Sequence, residues 1–405
     1  MSGTLREVVI VGYLRTPESR SRPNDPGRDL FGRVRADELL AKLLPEVITR
    51  AGIKQTEIDD FIVGSALGVG EQWTMGGRIP IFLANLKETI PSKFVDQQCA
   101  SSMAGIHVGF LEIAAEFANI VLLGGIEHMT RVPMYSAISP EGGNIAPNPR
   151  LLVDPAYAHW DMQTSMNMGL TAEKLFNQSG LAREDLDRWA LRSHQRAAKA
   201  QNDGFFNEEI LPIESVQADG RRLVVDRDQS VRQDATLEAI TKLKPAFKPD
   251  GVITAGNSAP LNAAAASMIL TSKDTAKERG LKPMASIRSI ASVGVDPTVM
   301  GLGPVPASRK ALKKAGLEVR DIDYWEINEA FTIVTLNCIK ELGIDPERVN
   351  VMGGSVAIGH PLGATGIRLV GMLARILKAK GGRYGLATVC VGGGQGVATI
   401  IENTT

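Results

Sequence analysis

Residues 51–67 read AGIKQTEIDDFIVGSAL, and residues 315–331 read AGLEVRDIDYWEINEAF. Each stretch carries Ala-Gly, then an apolar residue, then Ile-Asp ahead of a strand-like run, at an offset of 264 residues. A second echo pairs SMAGIHVGFLEIAAEFANIVLLGG, from Ser102, with GATGIRLVGMLARILKAKGGRYGLATVCVGG, from Gly363. It sets Gly105 against Gly366 at an offset of 261. Two echoes at nearly one spacing predict two copies of one structural unit.

The rest of the chain says what that unit is. Short β-branched runs (VVIVG at 8, DDFIVGSAL at 59, ANIVLLGG at 118, YWEIN at 324, YGLATVCV at 384) alternate with amphipathic stretches. Two of those stretches, ADELLAKLLPEVITRAG and GIRLVGMLARILKAKGG, close on glycine as helix C-termini do. The pattern is α/β with buried sheets. The expected division is an N-terminal core half over 1–126 and a C-terminal half over 271–405. Residues 127–270 form a long insertion whose final part rejoins the N-terminal core. That insertion is rich in Met, Asn, Pro and Gly at NIAPNPRLLVDP, then charged and helical through LAREDLDRWALRSHQRAAKAQ. It reads as a lid or substrate-binding region, or as a surface for oligomer contacts.

Composition excludes several classes of partner. The 405 residues are 44% apolar, enough for a large core, and 45 Lys plus Arg balance 45 Asp plus Glu. No global field recruits nucleic acid or a membrane surface. The first apolar run, VVIVG, is too short for a signal sequence, and the longest apolar windows are broken by Gly, Pro, His and Arg. The expected location is the cytoplasm. Three cysteines (Cys99, Cys338, Cys390) are too few and odd in number for a disulfide framework, which leaves free thiols.

Two of those thiols stand in unusual settings. Cys99 lies in FVDQQCASSMAG, where a strand-like run gives way to a helix; unpaired NH groups there lower a thiol pKa and favour thiolate. A buried structural cysteine is the competing reading. His360, in GHPLGATG, sits at a second helix start, near the position related to Cys99 by the repeat, so base and thiol meet if the two helix starts converge. Cys390 opens CVGGGQG, whose glycines leave NH groups unshielded, and Asn328 in NEAF is a further donor. His107 and His194 fall in helical pattern and read as packing or surface residues, as does Cys338; His128 and His159 stay open.

Taken in order, QQCASSMAG, GGIEHMTRVPM, MGLTAE, ITAGN, NEAF, GGSVAIGHPLGATG and CVGGGQG resemble the thiolase family over nearly the whole chain. GGIEHM and MGLTAEKL are most similar to bacterial 3-ketoacyl-CoA thiolases of β-oxidation. The resemblance implies a thiolase-like duplicated α/β core with a long loop or lid insertion. It implies that Cys99 accepts the acyl group, His360 activates it, and Cys390 exchanges a proton with the substrate α-carbon. Asn328 and His360 match one oxyanion hole, and the NH groups of Cys99 and Gly392 match a second. Arg232, Met168, Ser258 and Phe331 match the neighbourhood of coenzyme A (CoA). Acyl-CoA and CoA are then substrates, with no metal or redox cofactor. A homodimer or tetramer is implied, and a hydratase/dehydrogenase partner subunit is compatible with it.

One stretch departs from the family. TAGNSAPLNAAAAS puts Ala259 where a serine commonly contacts CoA and Ala263-Ala264 where Asp-Gly is common. One hydrogen bond to CoA is thereby in question, with Ser258 as a neighbouring substitute. An unusual branched or aromatic 3-ketoacyl-CoA is the alternative substrate, and a non-catalytic lipid-binding scaffold is a weaker alternative still.

Overall fold

The computed structural model describes residues 5–134 and 147–404; residues 135–146 of the expected insertion lie outside the described residues. The N-terminal strands are β1 (Val8–Arg15), β2 (Ser19–Arg20), β3 (Asp60–Gly64), β4 (Ser92–Val95) and β5 (Ile120–His128). Next come β6 (Ile213–Val216) and β7 (Arg222–Val225), a separate antiparallel hairpin, and then β8 (Asn262–Ser272). The chain ends with β9 (Ala285–Gly294), β10 (Tyr324–Ile327), β11 (Tyr384–Val391) and β12 (Gln395–Asn403).

Strand order repeats between the halves. The first runs β3-β5-β8-β1 and the second β10-β11-β12-β9. In each, the first pair is parallel and the next two are antiparallel. β3 begins at 60 and β10 at 324, β5 at 120 and β11 at 384, so both pairs keep the 264-residue offset. A parallel pair needs a crossover, and the helices Ser101–Ala114 and Leu362–Lys380 supply it in their respective halves. Where the halves meet, Val9 pairs with Ser286 and Ile10 with Ala285, so one sheet runs across both.

Every residue of β5 and of β8 is buried, which is why IVLLGGIEH and NAAAASMILTS read as unbroken rather than alternating runs. The central core holds both crossover helices and the inner strand faces. The helix Ala36–Ala51 covers the outer face of the first half through Leu39, Leu40, Leu43 and Val47. Pro304–Ala315 and Thr332–Leu342 cover the second. The helices Ala36–Ala51 and Pro304–Ala315 end on left-handed glycines, Gly52 at φ 70° and Gly316 at φ 67°, the two glycines of the quoted repeat.

The crossover helices lie against each other at Gly366, where an added Cβ would collide with the backbone of Met103. The Ile367 NH also donates to Ser102 Oγ at 3.1 Å. Their N-termini therefore open at one end of the molecule. The segment between β5 and β8 brings the helices Met168–Ser179 and Arg183–Asn202 alongside that end. Buried ion pairs from Arg15 to Glu209 (2.8 Å) and Asp228 (2.7 Å) tie the segment to β1.

Candidate active site

Cys99 sits in a single 3₁₀ turn, Gln98–Ala100, immediately before the helix Ser101–Ala114. Gln98 holds φ at 46°, a left-handed conformation costing a non-glycine residue about 1 kcal/mol or more. Asp96 Oδ1 accepts from the Gln98 NH at 2.8 Å, and Gln98 Nε2 donates to the Ala66 carbonyl at 3.1 Å. The turn thus holds the thiol at the helix start. Glu127, on β5, accepts from the NH groups of Ala66 (3.0 Å) and Gly363 (2.9 Å), clamping the second helix start beside it.

His360 precedes that second helix. Its NH donates to Asn262 Oδ1 at 3.0 Å, its Nδ1 lies 2.8 Å from Thr365 Oγ1, and its Nε2 lies 3.2 Å from Asn328 Nδ2. Asn328 follows β10 and is fully buried; its Oδ1 accepts from Ser355 Oγ at 2.6 Å. Below it, Glu329 accepts from Trp189 Nε1 and Ser193 Oγ, both at 2.8 Å, so an inserted helix braces the turn carrying Asn328.

Cys99 and His360 line one cavity of about 520 Å³, together with Met129, Met134, Met168, Met300 and Phe331. Phe247, Leu261 and Leu362 add further apolar wall, and among the described residues no Asp, Glu, Lys or Arg lines it. Cys390 is not a lining residue. It is fully buried in the cluster that holds the lining residues Met300, Ala330 and Phe331, and charge on the Cys99 sulfur raises its thiol pKa. Gly392 faces Met168: a Cβ there would lie 3.5 Å from Met168 Sδ.

The thiolate expected at Cys99 is not the resting state. Burial pushes the Cys99 thiol up to about 11, although NH groups of Gly392 and of Cys99 itself favour the ionised sulfur. Burial likewise raises Cys390, with Cys99 adding to the effect. His360 goes the other way: burial, with Arg368 second, pushes its imidazole down to about 3. The site at neutral pH therefore holds a neutral thiol beside a neutral imidazole. The helix start favours the anion only once a proton has somewhere to go.

The expected CoA residues divide. Met168, Ser258 and Phe331 line the cavity; Arg232 does not. Ser258 is no substitute donor for Ala259, because its hydroxyl donates to the Thr254 carbonyl at 2.7 Å. Ala263 and Ala264 are buried in β8, filling space with methyls. The other candidates are structural. His107 Nε2 lies 2.9 Å from Thr399 Oγ1, His128 Nε2 lies 2.9 Å from the Phe31 carbonyl oxygen, and His194 Nδ1 accepts from the Arg232 NH at 3.2 Å. His159 stacks at 4.6 Å on Trp160, and Cys338 packs in the C-terminal core. Sequence reasoning passed over Thr365, Ser355, Asn262 and Glu127. Of these only Thr365, one turn into the helix after His360, carried a local signal.

The fold with its paired helix starts has known relatives. Residues 8–274 match the family description "Thiolase, N-terminal domain", and residues 281–403 match "Thiolase, C-terminal domain". The chain belongs to the thiolase family. It is 40% identical to a 3-ketoacyl-CoA thiolase of Saccharophagus degradans, covering 99% of this chain and 100% of that protein. Identity to the Photorhabdus laumondii 3-ketoacyl-CoA thiolase is 42%, over 98% and 99%. The crystal structure of human mitochondrial 3-ketoacyl-CoA thiolase superposes with a TM-score of 0.87 at 32% identity, covering 99% of this chain and 100% of that one.

Proposed function

We propose that this thiolase cleaves 3-ketoacyl-CoA with CoA to give acetyl-CoA and a shortened acyl-CoA, or runs the reverse condensation. The observation that carries this reading is the meeting of Cys99 and His360 on one uncharged cavity beneath the Asn328 amide. The Cys99 proton passes to His360 and the sulfur attacks C3, leaving an oxyanion. Collapse breaks C2–C3, forming acyl-Cys99 and the enolate of acetyl-CoA, which takes its proton from the Cys390 thiol. The incoming CoA thiol gives its proton to Cys390 and its sulfur attacks the thioester; the bond from the acyl carbon to Cys99 breaks, and the Cys99 sulfur takes its proton back from His360. Donors aimed at the two oxygens stabilise both charged species: Asn328 and His360 at the enolate, the NH groups of Cys99 and Gly392 at the tetrahedral oxyanion that forms and resolves acyl-Cys99. The chemistry as written uses CoA and acyl-CoA as substrates and asks for no resident metal or redox group.

A cluster of arginines supports a phosphate-bearing substrate. Burial and the charges of Arg22, Arg232 and Arg28 lower the Arg20 pKa, so these four cations crowd one place. The segment carrying Arg20, Arg22 and Arg28 pairs beside the cavity wall: Arg20 opposes Asn262, and the Ser21 NH donates to the carbonyl of lining residue Leu261 at 2.8 Å. Arg232 belongs in this reading to the phosphate end of CoA, outside the reaction cavity.

The same reading includes a homo-oligomer in the cytoplasm, supplied with its 3-keto substrate by a hydratase/dehydrogenase partner. Free thiols at all three cysteines suit a reducing compartment, and no helix among the described residues is long and apolar enough to cross a membrane. Mass spectrometry after mixing with acetyl-CoA is the direct test: one acetyl group should appear on Cys99, and an adduct elsewhere would defeat the assignment. Cys390→Ala should abolish α-proton exchange of acetyl-CoA while Cys99 still acylates; unchanged exchange would remove Cys390 as the acid/base.

A further inference from the structure

The hydrogen bonds around Asn328 and His360 form a chain whose direction is set from its Arg368 end. It begins at Arg368, 1% exposed, whose guanidinium has donors only. Nη2 donates to Ser355 Oγ at 2.6 Å, so the Ser355 proton is free for Asn328 Oδ1, also at 2.6 Å. The carbonyl end of the amide being thus engaged, its NH₂ end faces His360 Nε2 at 3.2 Å. An NH₂ group only donates, so Nε2 must present its lone pair and the single ring proton must sit on Nδ1. That proton points at Thr365 Oγ1, 2.8 Å away, and the Thr365 hydroxyl donates in turn to the Pro361 carbonyl at 2.9 Å. A carbonyl only accepts. Reversing one link alone would set two donors or two lone pairs face to face. Reversing the run from Asn328 to Thr365 as a whole would put the amide NH₂ as well as the Arg368 donor on Ser355 Oγ and take from the Ser355 proton the acceptor it has in Asn328 Oδ1, in a buried site where an unmade hydrogen bond costs about 1–3 kcal/mol.

We propose that Thr365 and Ser355 are positioning residues that hold His360 as its Nδ1–H tautomer, and that proton uptake at Nε2 converts Asn328 and His360 from hydrogen-bond partners into two donors for one substrate oxygen. This rests on the thiolase reading of the site. At rest, the Asn328 NH₂ is engaged by the Nε2 lone pair. When the S–H bond of Cys99 breaks, its electron pair stays on sulfur and its proton becomes the Nε2–H. Two N–H groups then stand side by side with the imidazole held in place, and an acceptor between them takes both just as negative charge develops on the substrate. Thr365 remains the acceptor for Nδ1–H throughout, so the imidazole cannot rotate out of place as it becomes charged. Neither residue touches substrate; each acts through its neighbour.

The protein has five histidines, so ¹⁵N-histidine magic-angle-spinning NMR reads the tautomer directly, with His360→Asn assigning the signal. The wild type should show Nδ1 protonated and Nε2 bare at pH 7. Thr365→Val, nearly isosteric, should mix the two tautomers. A mis-set catalytic histidine costs up to about 10⁴-fold in kcat and one oxyanion donor about 10²- to 10³-fold, so a merely loosened one should slow α-proton exchange of acetyl-CoA about 10- to 100-fold. KM should hold within about twofold, since the contact lies off the binding surface. Thr365→Ser, which keeps the hydroxyl, should restore both signal and rate, and a rescue by Ser is not expected of a role in packing alone. Ser355→Ala, which frees the amide to turn over, should slow exchange in the same direction. An Nε2–H tautomer in the wild type overturns the proposal, as does wild-type exchange in both Thr365→Val and Ser355→Ala. If Thr365→Val fails to fold, the wild-type spectrum and Ser355→Ala decide. A wild type that neither exchanges the α-proton nor acylates Cys99 would instead sink the thiolase reading, and the spectrum would still report on the tautomer.

Discussion

Ala259 presents a methyl to the cavity, and the hydroxyl beside it, on Ser258, is already donated to Thr254. A ligand amide arriving there meets no side-chain donor from either residue. Restoring one is a small change with a measurable result: a typical net hydrogen bond is worth about 0.5–1.5 kcal/mol, so Ala259→Ser should lower KM for CoA by about 2- to 12-fold with kcat unchanged. Steady-state thiolysis at varied CoA checks it; an unchanged KM would mean that the position does not meet the pantetheine arm. The residue types of this site were legible in the chain, because His360 and Cys390 stood among glycines, Cys99 at a strand-to-helix junction and Asn328 in the NEAF motif. Their ionisation was not. Cys99 at a helix start reads as a thiolate in sequence, yet the apolar wall around it comes from residues as distant as Met300 and Leu362, and burial outweighs two NH groups.

At the scale of elements, the repeat aligns Gly105 with Gly366, each on the crossover helix of its own half. Their surroundings differ. A Cβ on Gly105 would lie 3.5 Å from Ile62 Cγ2, ordinary contact, whereas a Cβ on Gly366 would strike the backbone of Met103 on the partner helix. Gly105→Ala should therefore be neutral or stabilising by up to about 1 kcal/mol, the helix propensity of alanine over glycine. Gly366→Ala must push the central helices apart and should cost about 1–3 kcal/mol or more, as overpacking does. Thermal unfolding of the two variants checks this, and equal melting temperatures would contradict it. The loss at Gly366 should also reach activity, because the same two helices carry Cys99 and His360 at their starts.

For the whole molecule, the sheet ends at β4, whose four residues are all partly exposed. Apolar side chains gather near that edge: Trp73 is 58% exposed, Phe82 58% and Phe117 77%. Arg78 and Lys93 lie over the rings of Phe82 and Phe117, at 5.0 and 6.0 Å. A free strand with an apolar border is a pairing surface, and a second copy meeting it edge to edge satisfies the backbone groups of both strands. Analytical ultracentrifugation should show at least a dimer, and Trp73→Lys with Phe82→Lys should shift it towards monomer. A wild-type monomer at micromolar concentration would dispose of this interface.

The sequence by itself settled the duplication, the α/β class and the motifs that place the chain in its family, because these rest on local periodicity and on residue type at fixed spacing. Tertiary structure decided what no local pattern holds. It left Cys390 off the cavity lining, placed Arg232 away from the cavity, engaged the Ser258 hydroxyl, and set a partner at each ring nitrogen of His360. Most of those outcomes depend on groups well separated in sequence: Cys390 packs with Met300 and Ala330, and the Asn328 beside His360 is held through Ser355 by Arg368; the bond from Ser258 to Thr254 is local. Burial, the direction of a hydrogen bond and the space beside a glycine are properties of that assembly, and the residues that determine them lie up to some 260 positions away.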